Sequence, residues 1–215
     1  PYDAVKNFQA ITLIANVPNL IAVHPSVPAK TPAELVEFLR SNPGCTFTSA
    51  GPGTTAHLAG EFFSERLGLK LTHVPYKAVG QAMTDVIGGQ VKMIFYQLAG
   101  LKAHVDAGSV RPIAATSLTR IPALPNMPTV AETVIPGFDF APWFGFMAPA
   151  GTPRPIVDRL HGLVVTAVQS PEMKKQFDAQ GVEAVLKGPD EFQAFMRTDY
   201  ERWRQILEKA GMRPQ

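Results

Sequence analysis

Phe47-Thr48-Ser49-Ala50-Gly51-Pro52-Gly53-Thr54-Thr55-Ala56-His57-Leu58 decides how this chain folds. Residues 45–48 predict a short buried strand and residues 56–67 a helix, with a turn of small, hydroxyl and glycine residues between them. Leu58, Phe62 and Phe63 supply one apolar helix face, and Gly68 is a natural C-terminal stop. A strand that feeds a glycine-rich turn into a helix presents free backbone N–H groups and the positive end of the helix dipole. Such a place holds phosphate, sulfate or carboxylate. The same residues also fit a plain strand-to-helix turn, in which Gly51 and Gly53 take positive φ and Thr54 or Thr55 caps the helix. On this stretch alone the plain turn has the edge, and the surrounding chain decides.

Outward from the loop, strands and helices alternate. Residues 8–15 and 20–23 are β-rich runs split by Val17-Pro18-Asn19. Thr31-Pro32-Ala33-Glu34 joins an N-cap threonine, a proline at the first helical position and a capping-box glutamate. Leu35, Phe38 and Leu39 carry that helix to Asn42-Pro43-Gly44. Residues 70–74 predict a strand, 81–87 a helix closed by Gly88-Gly89, and 93–96 a strand. Residues 98–107 predict a helix stopped by Gly108, and 111–116 a further strand. This alternation implies a mainly parallel sheet covered by helices on both faces.

Beyond Thr116 the pattern changes. Residues 120–136 are rich in proline, with one short helix near Val130-Ala131-Glu132. Residues 140–147 predict a long strand, apolar on both faces. Thr152-Pro153 opens a helix that turns Ile156, Val157, Leu160, Val164 and Val168 inward, and Ser170-Pro171-Glu172 opens another that ends at Gly181. Gly188-Pro189-Asp190-Glu191 starts a last helix with Phe192, Phe195, Met196, Trp203, Ile206 and Leu207 at three- and four-residue spacing, a face that must pack on something large.

Composition narrows the function classes. A chain of 215 residues suffices for one large domain or two small lobes, and 46% hydrophobic against 18% charged residues marks it as folded. The net charge of +2 comes from scattered basic residues with no aromatic interleaving, which argues against nucleic acid. The longest apolar stretches, residues 11–23 and 141–150, contain Asn or Pro and are too short to span a bilayer. Cys45 is single, so no intrachain disulfide forms. Pro1-Tyr2-Asp3 has neither the basic start nor the apolar segment of a signal peptide, which suits a cytosolic protein or a mature or shortened form.

The chemistry-bearing residues point to binding. Gly51-Pro52-Gly53-Thr54-Thr55-Ala56 matches the dinucleotide fingerprint, so an NAD-type enzyme is a rival reading. That fold needs an acid at the end of the next strand, and here the strand ends Thr72-His73-Val74-Pro75, while Pro52 removes an N–H from the cradle. No nucleophile elbow occurs, and Ser49 has no obvious base, although His57 lies in reach of the same loop. His24, His57, His73, His104 and His161 never fall at ligand spacing, so no metal is expected. Cys45 reads as a small buried hydrophobe. His57, near the helix start, reads as a neutral ring holding the loop. Tyr76 and Lys77 can reach a ligand from a strand-end loop, and Trp143 and Phe144 either floor a pocket or pack in a core. The expectation is a binder without catalytic residues, cofactor or metal.

Several segments together resemble the substrate receptors of tripartite tricarboxylate transporters, the Bug family. They are Pro1-Tyr2-Asp3 with Asn7-Phe8, Pro28-Ala29-Lys30-Thr31, Ser49-Ala50-Gly51-Pro52-Gly53 with His57-Leu58-Ala59-Gly60-Glu61, and His73-Val74-Pro75-Tyr76-Lys77. Then follow Gly88-Gly89-Gln90-Val91, Leu124-Pro125, Pro128-Thr129-Val130-Ala131-Glu132, Trp143-Phe144-Gly145 and Ala148-Pro149-Ala150-Gly151-Thr152-Pro153. The resemblance implies an α/β, two-lobed periplasmic binding protein of the type II-like, Venus-flytrap kind. It would bind a small carboxylate and hand it to membrane transporter subunits. It also implies that residues 18–139 form a complete second lobe with the carboxylate loop, while residues 1–17 and 140–215 are the remnant of the first. On the same resemblance, a further βαβα segment, usual at the start of such receptors, is expected to be missing from this chain. The ligand-binding set is then Ser49, Gly51, Gly53, Thr54, Thr55, His57, Tyr76 and Tyr96. Family members often carry acids where this chain has Lys92 and Tyr96, which is expected to turn preference away from amino acids. A bare first-lobe face on the last helix is expected to support a homo-oligomer. A sensor or other non-transport binding module, or a decayed copy, is the alternative, and an α/β nucleotide-dependent enzyme a distant one.

Overall fold

A computed structural model describes Asp3 and residues 5–209, so Pro1 and Tyr2 of the first resembling segment lie outside the described residues. The chain begins with β1 (Phe8–Asn16), β2 (Asn19–Val23), α1 (Pro32–Ser41), β3 (Thr46–Thr48) and α2 (Thr55–Arg66). It continues through β4 (Thr72–His73), α3 (Val79–Ile87), β5 (Met93–Gln97), α4 (Leu98–Asp106), β6 (Arg111–Ala115) and α5 (Val130–Thr133). It ends with β7 (Trp143–Pro149), α6 (Arg154–Val168), α7 (Pro171–Gln180), β8 (Glu183–Lys187) and α8 (Pro189–Lys209). Two units result: Val17–Pro142, and a second built from Pro1–Asn16 with Trp143–Gln215.

In the Val17–Pro142 unit the five strands lie in the order β4-β3-β5-β2-β6. β3 pairs parallel with β4 and β5, whereas β2 is inserted antiparallel between β5 and β6. The sheet is therefore mixed, not mainly parallel: β3, β4, β5 and β6 point one way and β2 the other. All five residues of β2 are buried, and a fully buried apolar strand carries no sign of its direction.

The two sheet faces have separate cores. On one, Leu20, Ala22 and Ile94 meet Met83 and Val86 of α3 and Leu101 of α4. On the other, Phe47, Phe63, Phe95, Phe138 and Phe140 are all buried and stack in sequence, with Phe47–Phe95 centroids 5.6 Å apart and Phe138–Phe140 4.6 Å apart. Each such ring contributes about 1.5–3 kcal/mol of burial. Gly60 sets how closely α2 lies on this layer, since a Cβ there would fall inside the Phe47 ring. The same layer explains why no strand begins at Phe140. Its backbone is consumed by Thr116 and Asn19: Phe140 N–H donates to Thr116 O (2.8 Å), and Phe140 O accepts from Thr116 Oγ1 (3.0 Å) and Asn19 Nδ2 (3.3 Å). The unit closes where it opened, with Val17 N–H donating to Pro142 O at 2.9 Å.

The other unit is a three-stranded antiparallel sheet, β7-β1-β8, with α8 laid over β1 through Ala10, Leu13, Phe192 and Met196. β8 is not foreseen by the sequence pattern; it is a short edge strand of mixed polarity, with Leu186 at φ +52°. The apolar face of α8 is thus largely occupied within its own unit. Bare apolar surface lies elsewhere. Of the α6 residues expected inward, Val157 and Val168 are buried but Ile156 and Leu160 are exposed, alongside Leu163 at 60%. Phe144 and Phe146 of β7 are about half exposed. The apolar surface on both faces of β7 and around α6 therefore exceeds what this unit covers.

Candidate functional site

Because β3, β4, β5 and β6 share a direction, the segments that follow them gather along one sheet edge. Helices α2, α3 and α4 each start there. Thr54 caps α2 with its side chain, whereas α3 and α4 begin after Ala78 and Gln97 without a side-chain cap. Three positive helix ends thus share one edge, the place where open α/β sheets bind ligands.

The loop between β3 and α2 is wound by its own polar groups. Gly51 at φ +128° and Gly53 at φ +77° supply backbone angles that side chains resist. The Thr54 hydroxyl donates to Gly51 O (2.7 Å) and accepts from His57 N–H (3.3 Å). Ser49 Oγ accepts from Gly51 N–H at 3.2 Å. Gly53 N–H donates to His57 Nδ1 at 3.2 Å, so the imidazole does hold the loop. The N–H groups of Thr55 and Ala56 at the helix start, and that of Ala50 in the turn, have no partner among the described residues, although Ala56 is itself buried.

Behind the loop, His57 and His73 stack with centroids 4.2 Å apart, and His73 also lies 4.9 Å from the Phe47 ring. His73 Nε2 is 3.0 Å from Ser49 Oγ. No base for Ser49 is evident in the sequence, and the structure sets His73 on it. The two residues are far apart in the chain, and the parallel β3–β4 ladder, with Phe47 opposite His73, brings them together. Burial and, to a lesser degree, the neighbouring His57 together push the His73 pKa down to about 4, so the ring is neutral near pH 7. Ser49 is only 2% exposed and its oxygen already takes the Gly51 N–H. That geometry fixes a loop and leaves no access for a substrate carbonyl.

The tyrosines stand at the same edge with different freedom. The Tyr76 hydroxyl donates to Asp85 at 2.5 Å, and that bond, with burial, pushes its pKa up to about 12. Its proton is committed to α3. The Tyr96 ring lies against Gly100 at the end of β5, and its hydroxyl has no partner among the described residues. Lys92 sits before β5, at the opposite end of that strand, and donates to Gly89 O (2.8 Å); it is not part of the site. Lys77 is exposed. Cys45 is half-buried, and burial raises its thiol pKa, the behaviour of a small hydrophobe. Among the described residues no group of three or more His, Cys, Asp or Glu could hold a metal. In the other unit Trp143 serves both roles considered for it. It packs edge-on to Phe192 (5.3 Å), donates to Asp199 (2.8 Å), and lines a cavity of about 300 Å³ with Met147, Met196 and Tyr200.

With this geometry in view, comparison with known proteins decides the family. The profile described as "Tripartite tricarboxylate transporter family receptor" matches residues 1–212. The chain belongs to that family. It is 32% identical, over 96% of its length, to "UPF0065 protein in tcbD-tcbE intergenic region" of Pseudomonas sp. (strain P51), of which it covers 62%. Among solved structures, R. palustris Rpa4515 with adipate superposes with a TM-score of 0.89 at 33% identity, covering 100% of this chain and 72% of that one. The periplasmic binding protein BugD gives 0.89 at 32%, covering 100% and 73%. The α/β fold of periplasmic binding proteins expected from the sequence is the one observed. This receptor-family chain spans about 62% of the length of two curated relatives it matches, and no described helix is long and apolar enough to cross a membrane.

Proposed function

We propose that the Val17–Pro142 unit is the lobe of a periplasmic solute receptor that grips one carboxylate of a small organic acid, for delivery to tripartite-transporter membrane subunits. Residues 18–139 are the binding lobe in this reading, and residues 1–17 with 140–215 belong to the other lobe. The observation that carries it is the loop at residues 49–57. Its own hydroxyls and imidazole satisfy the Gly51 and Gly53 N–H groups and leave those of Thr55 and Ala56 without a partner among the described residues at a helix start. Ser49, Gly51, Gly53, Thr54 and His57 shape the cradle, Thr55 lies at its mouth, and Tyr96 offers a free hydroxyl beside it. Tyr76 contributes its ring, because its hydroxyl is held by Asp85. The relative solved with adipate makes a dicarboxylate the natural probe. In this reading the site binds and releases its ligand.

One loop binds weakly. Two or three charge-assisted hydrogen bonds fewer than a closed two-lobe clamp, at roughly 1.5–3 kcal/mol each, reduce affinity by about a thousandfold or more. Binding near the millimolar range is expected. With Tyr96 where family members often carry an acid, adipate, succinate, benzoate and terephthalate should bind ahead of glutamate. NMR titration of the chain with these five acids, and with NAD and ATP, tests the reading. Shifts centred on the Gly53, Thr55 and Ala56 amides support it. Glutamate as the best ligand, shifts centred elsewhere, or micromolar nucleotide binding would overturn it.

A further inference from the structure

Two stacked imidazoles behind a ligand loop are more than a neutral ring at a helix start. The hydrogen-bond directions fix which atoms carry protons. Gly53 N–H is a donor, so His57 Nδ1 at 3.2 Å must present its lone pair. The neutral ring then carries its hydrogen on Nε2, which faces Glu61 Oε1 at 3.5 Å. A single tautomer satisfies both contacts. On its other side the ring lies 4.2 Å from His73, whose Nε2 meets Ser49 Oγ at 3.0 Å, and Ser49 Oγ in turn accepts the Gly51 N–H. Each imidazole therefore fastens one end of the residue 49–53 turn, and each steadies the other.

We infer that His57 and His73 are paired positioning residues, which keep the Gly51–Gly53 turn in its binding shape only while His57 Nδ1 is unprotonated. A proton on Nδ1 sets two donors face to face across the Gly53 contact, and the turn loses the bond that closes it. Glu61 Oε1 faces the other ring nitrogen, and the His73 ring, with Phe47 on its far side, covers one side of the imidazole. Ser49 and the Gly51 and Gly53 N–H groups complete the polar surroundings that the structure gives the two rings. The loop is in this way a proton-sensitive element, and it lets go of its ligand on acidification independently of the ligand's own titration.

The purpose of the latch rests on the carboxylate reading, but the latch itself is measured without any ligand. Nitrogen-15 NMR of the 215-residue chain between pH 8 and 5 follows the His57 ring nitrogens and the Gly53 amide together. The Gly53 resonance is expected to titrate with His57 Nδ1, and its protection from hydrogen exchange to fall by about five- to tenfold, the scale of one lost hydrogen bond. His57→Gln, whose amide oxygen can take the same N–H, should keep the protection and lose its pH dependence. His57→Leu should lose the protection at every pH. His73→Asn should move the titration while leaving Gly53 protected at pH 8. The inference is overturned if the Gly53 amide is indifferent to His57 protonation, or if His57→Gln follows the same pH profile as the wild type. Inorganic sulfate, which does not titrate in this range, reads the site separately. Should sulfate cause no shift at Thr55 and Ala56 at any pH while Gly53 still titrates with His57, the carboxylate reading fails and the latch stands.

Discussion

Replacing Thr54 with valine removes one hydroxyl and changes little else in size, and the structure predicts a cost beyond that of an ordinary helix cap. The hydroxyl accepts from His57 N–H and donates to Gly51 O at 2.7 Å. Loss of a capping side chain costs about 1 kcal/mol, within a range of roughly 0.5–2. The Gly51 carbonyl loses its shortest donor but keeps the Thr54 N–H at 3.3 Å, so its penalty sits near the low end of the usual scale, about 1 kcal/mol. The sum, about 2 kcal/mol, corresponds to a fall in melting temperature of roughly 4–8 °C for a chain of this size. Thr54→Ser keeps both bonds and should stay within about 0.5 kcal/mol of the wild type. Thermal and urea unfolding of the two variants measure the difference. If Thr54→Val melts with the wild type, the hydroxyl is not what closes the loop. If Thr54→Ser falls as far as Thr54→Val, the methyl group and not the hydrogen bonds carries the effect.

Two further outcomes follow from the same structure. The His73 pKa is depressed from 6.5 to about 4, so the stability it contributes is complete above pH 6.5 and is lost as pH falls towards 4; His73→Asn should flatten the decline in melting temperature over that interval, and an unchanged slope would locate the acid sensitivity elsewhere. Concentrated chain should self-associate through the exposed Phe144, Phe146, Ile156, Leu160 and Leu163. Light scattering should show larger species for the wild type and a monomer for Phe146→Ser with Leu163→Ser; a wild-type monomer that binds no apolar dye would show this surface to be inert.

The sequence made the loop legible because its signals are local. Glycines at positive φ, a threonine cap and a nearby histidine all act within a few residues, and each has the predicted role in the fold. The caps at Thr31 and Ser170 were legible for the same reason. What stayed hidden is pairwise and distant. Ser49 and His73 meet only through the β3–β4 ladder, and β2 runs antiparallel only because of where it slots between β5 and β6. Phe140 carries the apolar signature of a strand, yet rings contributed by α2 draw it into an aromatic layer. In α6 the helical spacing of apolar residues predicts a single buried face, whereas the sheet beneath covers only part of it. Periodicity reports that a residue is apolar and which way it faces, and says nothing of how much surface stands opposite.

The contact between Val17 N–H and Pro142 O gives the Val17–Pro142 unit an unusual independence. Its two ends are hydrogen-bonded neighbours, so whatever chain lies outside senses it as a short connection, however many residues the excursion contains. The entropy of closing a loop depends on the gap its ends must span and only weakly on its length. A segment that returns to its own starting point can be lifted out, sealed by a few flexible residues, or set into another host at an exposed turn without asking that host to bend. The Val17–Pro142 unit is thus a transplantable part, one whose fold is already closed at its root.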